Sequence, residues 1–139
     1  MSQPEIASID TTILLRHLLQ DHDEHSPRAS ALLLDVRKGT KRIFCPSTVI
    51  FEAIHALHRR ANIPRPAVAM ALTNLIELPN FVMTDEPVVI AALEFWTQQS
   101  PLDYADCYHL ALTRELTMSR IYTFDKKMDR FPGVERIEP

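Results

Sequence analysis

The chain has 139 residues, 46% of them hydrophobic, and a formal net charge of −3. That is the size of one domain with room for a core, and the composition excludes both a disordered chain and a basic nucleic-acid coat protein. The only two glycines, Gly39 and Gly133, cannot form a P-loop or a GxGxxG fingerprint, so any phosphate chemistry must use metal and side chains.

Ile6-Ala7-Ser8-Ile9 reads as a short buried strand. Asp10 ends it, and Thr11 or Thr12 caps a helix over 13–19. The polar stretch 21–26 reads as a loop. Pro27 suits the first turn of the next helix, which 29–36 carries on until Gly39 stops it. Arg42-Ile43-Phe44-Cys45 is a second strand ended by Pro46, and Ser47 or Thr48 caps a helix reaching 58. Pro64 and Pro66 break the chain before a helix over 67–78. Phe81-Val82-Met83 is a third strand, and 87–98 is a helix with Val89, Ala92, Leu93 and Trp96 at helical spacing. A further helix covers 104–116, a fourth strand 120–124, and 134–137 reads as a last edge strand. This alternation predicts an α/β fold with a mainly parallel sheet covered on both faces.

No apolar run approaches a membrane span, and Met1-Ser2-Gln3-Pro4-Glu5 is not a signal-peptide start, so a cytoplasmic protein is expected. Cys45 and Cys107 form no CxxC pair and sit in apolar surroundings, which favours buried thiols over a zinc site.

Ligands of open parallel sheets bind beyond the carboxyl ends of the strands. Asp10 and Asp125 directly follow the first and fourth strands. Glu52 lies in the first turns of the helix after the second strand, away from the stripe of Ile50, Ala53, Ile54 and Leu57. Asp106 lies in the first turn of a helix that is apolar around most of its circumference. Each acid also has a structural role open to it. Asp10 and Asp125 suit turns, Asp103 an N-cap and Asp106 an N3 position, and Glu52 solvent. Asp106 is the hardest to assign to structure alone, because a carboxylate at a buried helix needs a cation or donors. Carboxylates suit Mg²⁺, which takes oxygen ligands and keeps waters. A cation there makes hydroxide more available and steadies charge on a phosphate. Without it the acids repel, and at least one pKa rises.

Other constellations are weaker. Glu52-Ala53-Ile54-His55 has the spacing of a di-iron bundle, but no second such pair occurs. A phosphatase of the haloacid dehalogenase type needs a second Asp where Thr12 stands. His17, His22 and His25 read as solvated residues near a loop.

The ordered set Ile9-Asp10-Thr11-Thr12-Ile13-Leu14-Leu15, Pro46-Ser47-Thr48-Val49-Ile50-Phe51-Glu52, Leu102-Asp103-Tyr104-Ala105-Asp106 and Thr123-Phe124-Asp125-Lys126-Lys127 resembles PIN domains. It is most similar to the VapC-like toxin nucleases of toxin–antitoxin pairs. The resemblance implies a single nuclease domain over 1–139, a three-layer α/β/α sandwich, and an Mg²⁺- or Mn²⁺-dependent ribonuclease. The family's catalytic, metal-holding acids fall on Asp10, Glu52, Asp106 and Asp125, with Thr12, Asp103 and Thr123 supporting them. Thr12 is a departure, since relatives often carry Asn there. Arg16, Lys126, Lys127 and Arg130 are candidate contacts to RNA phosphate. Phe51 and Tyr104, beside proposed acids, are core residues or base-stacking ones. The resemblance also implies a homodimer and a small antitoxin partner, the helices over 29–36 and 67–78 being apolar enough for contacts. Two alternatives stay open: an RNA-processing PIN nuclease outside a toxin pair, and a catalytically silent PIN-fold module that binds RNA or protein.

Overall fold

The computed structural model describes residues 3–99 and 101–139. Met1 and Ser2, part of the start that does not read as a signal peptide, lie outside them. The chain divides into two compact units, Met1–Thr84 and Asp85–Pro139.

The first unit carries β1 (Ile6–Ser8), α1 (Thr11–Leu19), α2 (His25–Lys38), β2 (Arg42–Phe44), α3 (Ser47–Ile54), a π-helical turn (His55–Arg60), α4 (Arg65–Ile76) and β3 (Phe81–Val82). The strands form one parallel sheet in the order β1-β2-β3, with Ile6 opposite Arg42 and Ile43 opposite Phe81. Parallel neighbours need crossovers, and the helical segments between the strands supply them. Leu14, Val36, Ile43, Ile50, Leu72 and Ile76 are buried almost completely. Gly39 ends α2 with φ +86, where a Cβ would be strained by the backbone; the nearest atom, on Asn80, would lie at an ordinary 3.7 Å.

The second unit carries α5 (Glu86–Gln98), α6 (Tyr104–Glu115), β4 (Arg120–Tyr122), a 3₁₀ turn (Lys126–Arg130) and β5 (Glu135–Ile137). Its two strands are parallel, Arg120 facing Glu135. α5 and α6 pack together around Trp96, whose ring meets that of Tyr104 edge-on at 6.3 Å.

Several expectations change. The first strand is expected to be buried, yet all three residues of β1 are exposed, Ile6 by 46%; Ile9, just past the strand, is the buried one at 7%. Within its sheet β1 has only β2 as a hydrogen-bonded neighbour, so burial begins where Ile9 turns toward α1. The strand expected over 120–124 pairs with β5 in a separate two-stranded sheet. The helix expected to run to 58 changes pitch after Ile54, and the Ala61 N–H reaches back five residues to the Ala56 carbonyl at 3.0 Å. α2 starts at His25, inside the stretch expected to be loop. Cys45 and Cys107 are both buried, as expected. Among the described residues no helix is long and apolar enough to cross a membrane.

Candidate functional site

In the first unit, Asp10 is the N-cap of α1. Its Oδ1 accepts the Thr12 N–H at 3.0 Å and the Thr12 hydroxyl at 2.6 Å. This is why the helix starts one residue after the acid: the side chain satisfies a donor that the first turn leaves unpaired. The cap expected at Thr11 or Thr12 is thus Asp10 itself, and Thr12 supplies donors to it. Asp10 is exposed. α1 packs on α3, where Ile50, Ala53 and Ile54 are buried and Glu52 is exposed. Arg16, in the second turn of α1, is ion-paired with Asp21 at 3.0 Å.

In the second unit, Asp103 and Asp106 build a capping box at the start of α6. The Asp103 carboxylate accepts the Asp106 N–H at 2.9 Å, and the Asp106 carboxylate accepts the Asp103 N–H at 3.3 Å. Asp125 caps the 3₁₀ turn, its Oδ1 accepting the Lys127 N–H at 3.0 Å while the Lys127 ammonium stands 3.8 Å from its Oδ2. Thr123 Oγ1 accepts the Asp125 N–H at 3.0 Å, which fixes the backbone presenting that acid. Lys126 and Arg130 lie on the same turn, and both are exposed.

The electrostatics single out Asp106. Burial holds its pKa above the ordinary carboxylate value, and the negative charges of Asp103 and Asp125 push it further the same way. These acids therefore lie within electrostatic reach of one another. Within either unit, no three His, Cys, Asp or Glu side chains among the described residues already close into a metal cage. The donors are nonetheless all hard oxygens, crowded so that a cation would relieve them, and that fits Mg²⁺ or Mn²⁺. The PIN domain model matches residues 7–134, nearly the whole chain.

The chain belongs to the PIN domain family. The fold class that goes with it is the three-layer α/β/α sandwich with a mainly parallel sheet, and each strand pair here is parallel. PIN domains are nucleases that use divalent cations, so the hydrolase class expected from the acids stands at that level. Comparison with curated protein sequences returns no match. Among solved structures, the VapC20 toxin of Mycobacterium tuberculosis, which cleaves the sarcin–ricin loop, is similar at 18% identity with a TM-score of 0.38, covering 97% of this chain and 100% of its own. A likeness that loose carries no substrate across.

Of the two readings open for Tyr104, the core one holds: it is buried, its hydroxyl donates to the Val89 carbonyl at 3.2 Å, and burial raises its pKa. One other expectation is corrected in this PIN domain. His17 is not a solvated residue. It is half-buried with Nδ1 2.8 Å from Ser30 Oγ, and burial lowers its pKa. His22 and His25 stack ring on ring at 4.0 Å. The sequence also hid three cations. Arg28 and Lys41 line a depression together with Thr12 and Arg16, and Arg60 lines a second one with the same pair. No local spacing signals them, since they come from three different segments; only the packing of α1 against α2 and the π-helical turn gathers them.

Proposed function

We propose that the chain is a metal-dependent endoribonuclease, hydrolysing RNA phosphodiester bonds as the toxin of a toxin–antitoxin pair. Asp10, Glu52, Asp106 and Asp125 would together hold Mg²⁺ or Mn²⁺. The observation that carries this reading is the setting of Asp106, where burial first, and then the charges of Asp103 and Asp125, oppose its ionisation until a cation offsets them. The cation, when bound, would steady charge on the phosphate and make a water easier to deprotonate.

The chain's own groups do the rest. The Thr12 hydroxyl orients the Asp10 carboxylate, and the Thr123 hydroxyl holds the backbone of Asp125. Asp103 keeps the start of α6 closed so that Asp106 stays in place. Arg16, Lys126, Lys127 and Arg130 contact RNA phosphates; Lys127, exposed and 3.8 Å from Asp125, brings its charge next to the acids. A single nuclease domain over 1–139, a cytoplasmic setting, a homodimer and a small antitoxin belong to the same reading.

The test is incubation of the purified protein with total cellular RNA after chelation, then with Mg²⁺ or Mn²⁺ restored, with the cut ends mapped. Cleavage at a small set of sites, only with metal present, is expected. RNA left intact under both metals, or cut equally in EDTA, would overturn the reading.

A further inference from the structure

From Ala53 to Ile76 the chain carries Arg59, Arg60 and Arg65 but no aspartate or glutamate. A protein with a net charge of −3 therefore concentrates positive charge in one segment. Where the π-helical turn leads into α4, His58, Arg59, Asn62, Ile63, Pro64 and Arg65 line an open depression of about 510 Å³, with no carboxylate among them. Arg59 is exposed and, among the described residues, has no ion-pair partner. Arg60 faces a neighbouring depression that also holds Asp21. The backbone here is held in place. It reverses at Asn62, φ 58, a left-handed conformation that asparagine adopts more readily than most residues. The Ile63 N–H donates to the Leu57 carbonyl at 3.0 Å, and His58 Nδ1 donates to the Ile63 carbonyl at 2.8 Å. Pro64 and Pro66 fix φ on either side of Arg65. The backbones that carry Arg59 and Arg65 thus meet at one depression before any ligand arrives, which lowers the ordering cost of binding.

We propose that this depression binds a compact polyphosphate anion, either free tripolyphosphate or the phosphate tail of a nucleotide, between Arg59 and Arg65. The site uses none of the acids assigned to the cation and stands or falls apart from the ribonuclease reading. Guanidinium forks match phosphate oxygens two at a time. Pro66, the second residue of α4, has no N–H, so the helix end offers an anion little and the side chains carry the binding. Ile63 and Pro64 are the apolar members of the lining, and no aromatic ring is there to stack a base. Recognition is therefore of phosphate and not of base. A phosphodiester strand brings one charge per nucleotide, whereas a polyphosphate sets several charges against both guanidiniums at once.

The experiment titrates sodium tripolyphosphate into the full chain in EDTA by calorimetry. One saturable site is expected. Arg59→Ala with Arg65→Ala should weaken it about ten-fold or more, the order of affinity that charge-assisted hydrogen bonds carry. Arg37→Ala with Lys38→Ala removes the same charge from exposed positions on α2. It should leave the affinity within about two-fold, since screened charges away from the site matter little. Arg59→Glu alone, at an exposed position, should weaken binding without lowering the melting temperature, which separates the site from any part Arg65 plays in folding. Metal-free ATP should bind about as well as tripolyphosphate. The absence of a saturable site, equal weakening in the α2 pair, or undiminished binding by Arg59→Glu would overturn the proposal. ATP that binds far more tightly than tripolyphosphate would do so too, because the base would then be read. So would a poly-glutamate peptide, or a single-stranded RNA without terminal phosphates, that displaces tripolyphosphate at a lower concentration than tripolyphosphate itself needs, since the depression would then be a surface for a macromolecule.

Discussion

Asp106 accepts the Asp103 N–H as part of a helix cap while burial and two neighbouring acids oppose its charge. Its folded pKa lies above its unfolded one, so in the metal-free protein it favours folding only while protonated. That contribution is complete below the unfolded value of about 4 and is lost as pH rises through the folded value. Asp106→Asn keeps an acceptor for the cap and removes the charge. In EDTA the variant and the parent should therefore melt together near pH 4. The variant should melt progressively higher than the parent as pH rises, with the gap levelling once Asp106 is ionised. Thermal melts at several pH values check this; a gap that shrinks with rising pH would contradict it. The raised pKa is legible in the sequence, because an apolar helix with an acid in its first turn puts that acid at the edge of low dielectric. Arg28, Lys41 and Arg60 are not legible there, because what gathers them is packing between segments rather than spacing within one.

The helices are the most legible elements. Their starts follow capping acids and prolines, as at Asp103 before α6 and Pro64 before α4, and Gly39 marks a stop. Strands are harder: three residues do not tell a buried strand from an exposed one, which is why β1 departs from its expected burial. The change of pitch after Ile54 is invisible in the sequence, since His55–Arg60 has ordinary helical composition. Between α6 and β4 the chain reverses through Thr117 at φ 62, a left-handed conformation that costs a β-branched residue roughly 1–2 kcal/mol. Thr117→Gly should recover part of that, offset by the greater freedom of glycine in the unfolded chain, for a net gain of about 0.5–1 kcal/mol. Urea denaturation measures it, and a lower midpoint would show that the Thr117 hydroxyl bond to the Leu116 carbonyl outweighs the strain.

On the scale of the whole molecule, the proposed homodimer would need an apolar face, and α4 exposes Met70 by 67% while α2 exposes Leu34 by 47%. Met70→Glu should convert a dimer into a folded monomer at concentrations on the order of tens of micromolar. Light scattering that finds the parent already monomeric there would remove the dimer, and a variant that stays dimeric would move the interface off α4. The central claim, that the acids of this PIN domain form one cation-holding site that cuts RNA, is tested most directly at Asp10. Asn caps a helix about as well as Asp, so Asp10→Asn preserves the bond to the Thr12 N–H and removes only the charge. RNA cleavage by the purified variant in Mn²⁺, measured beside its thermal melt, separates the two roles. Cleavage should fall by orders of magnitude, since a ligand to a catalytic cation is worth several kcal/mol in the transition state, while the melting temperature holds or rises. A variant that melts lower yet still cuts RNA at the parent's rate would mean that Asp10 serves the helix and not the cation.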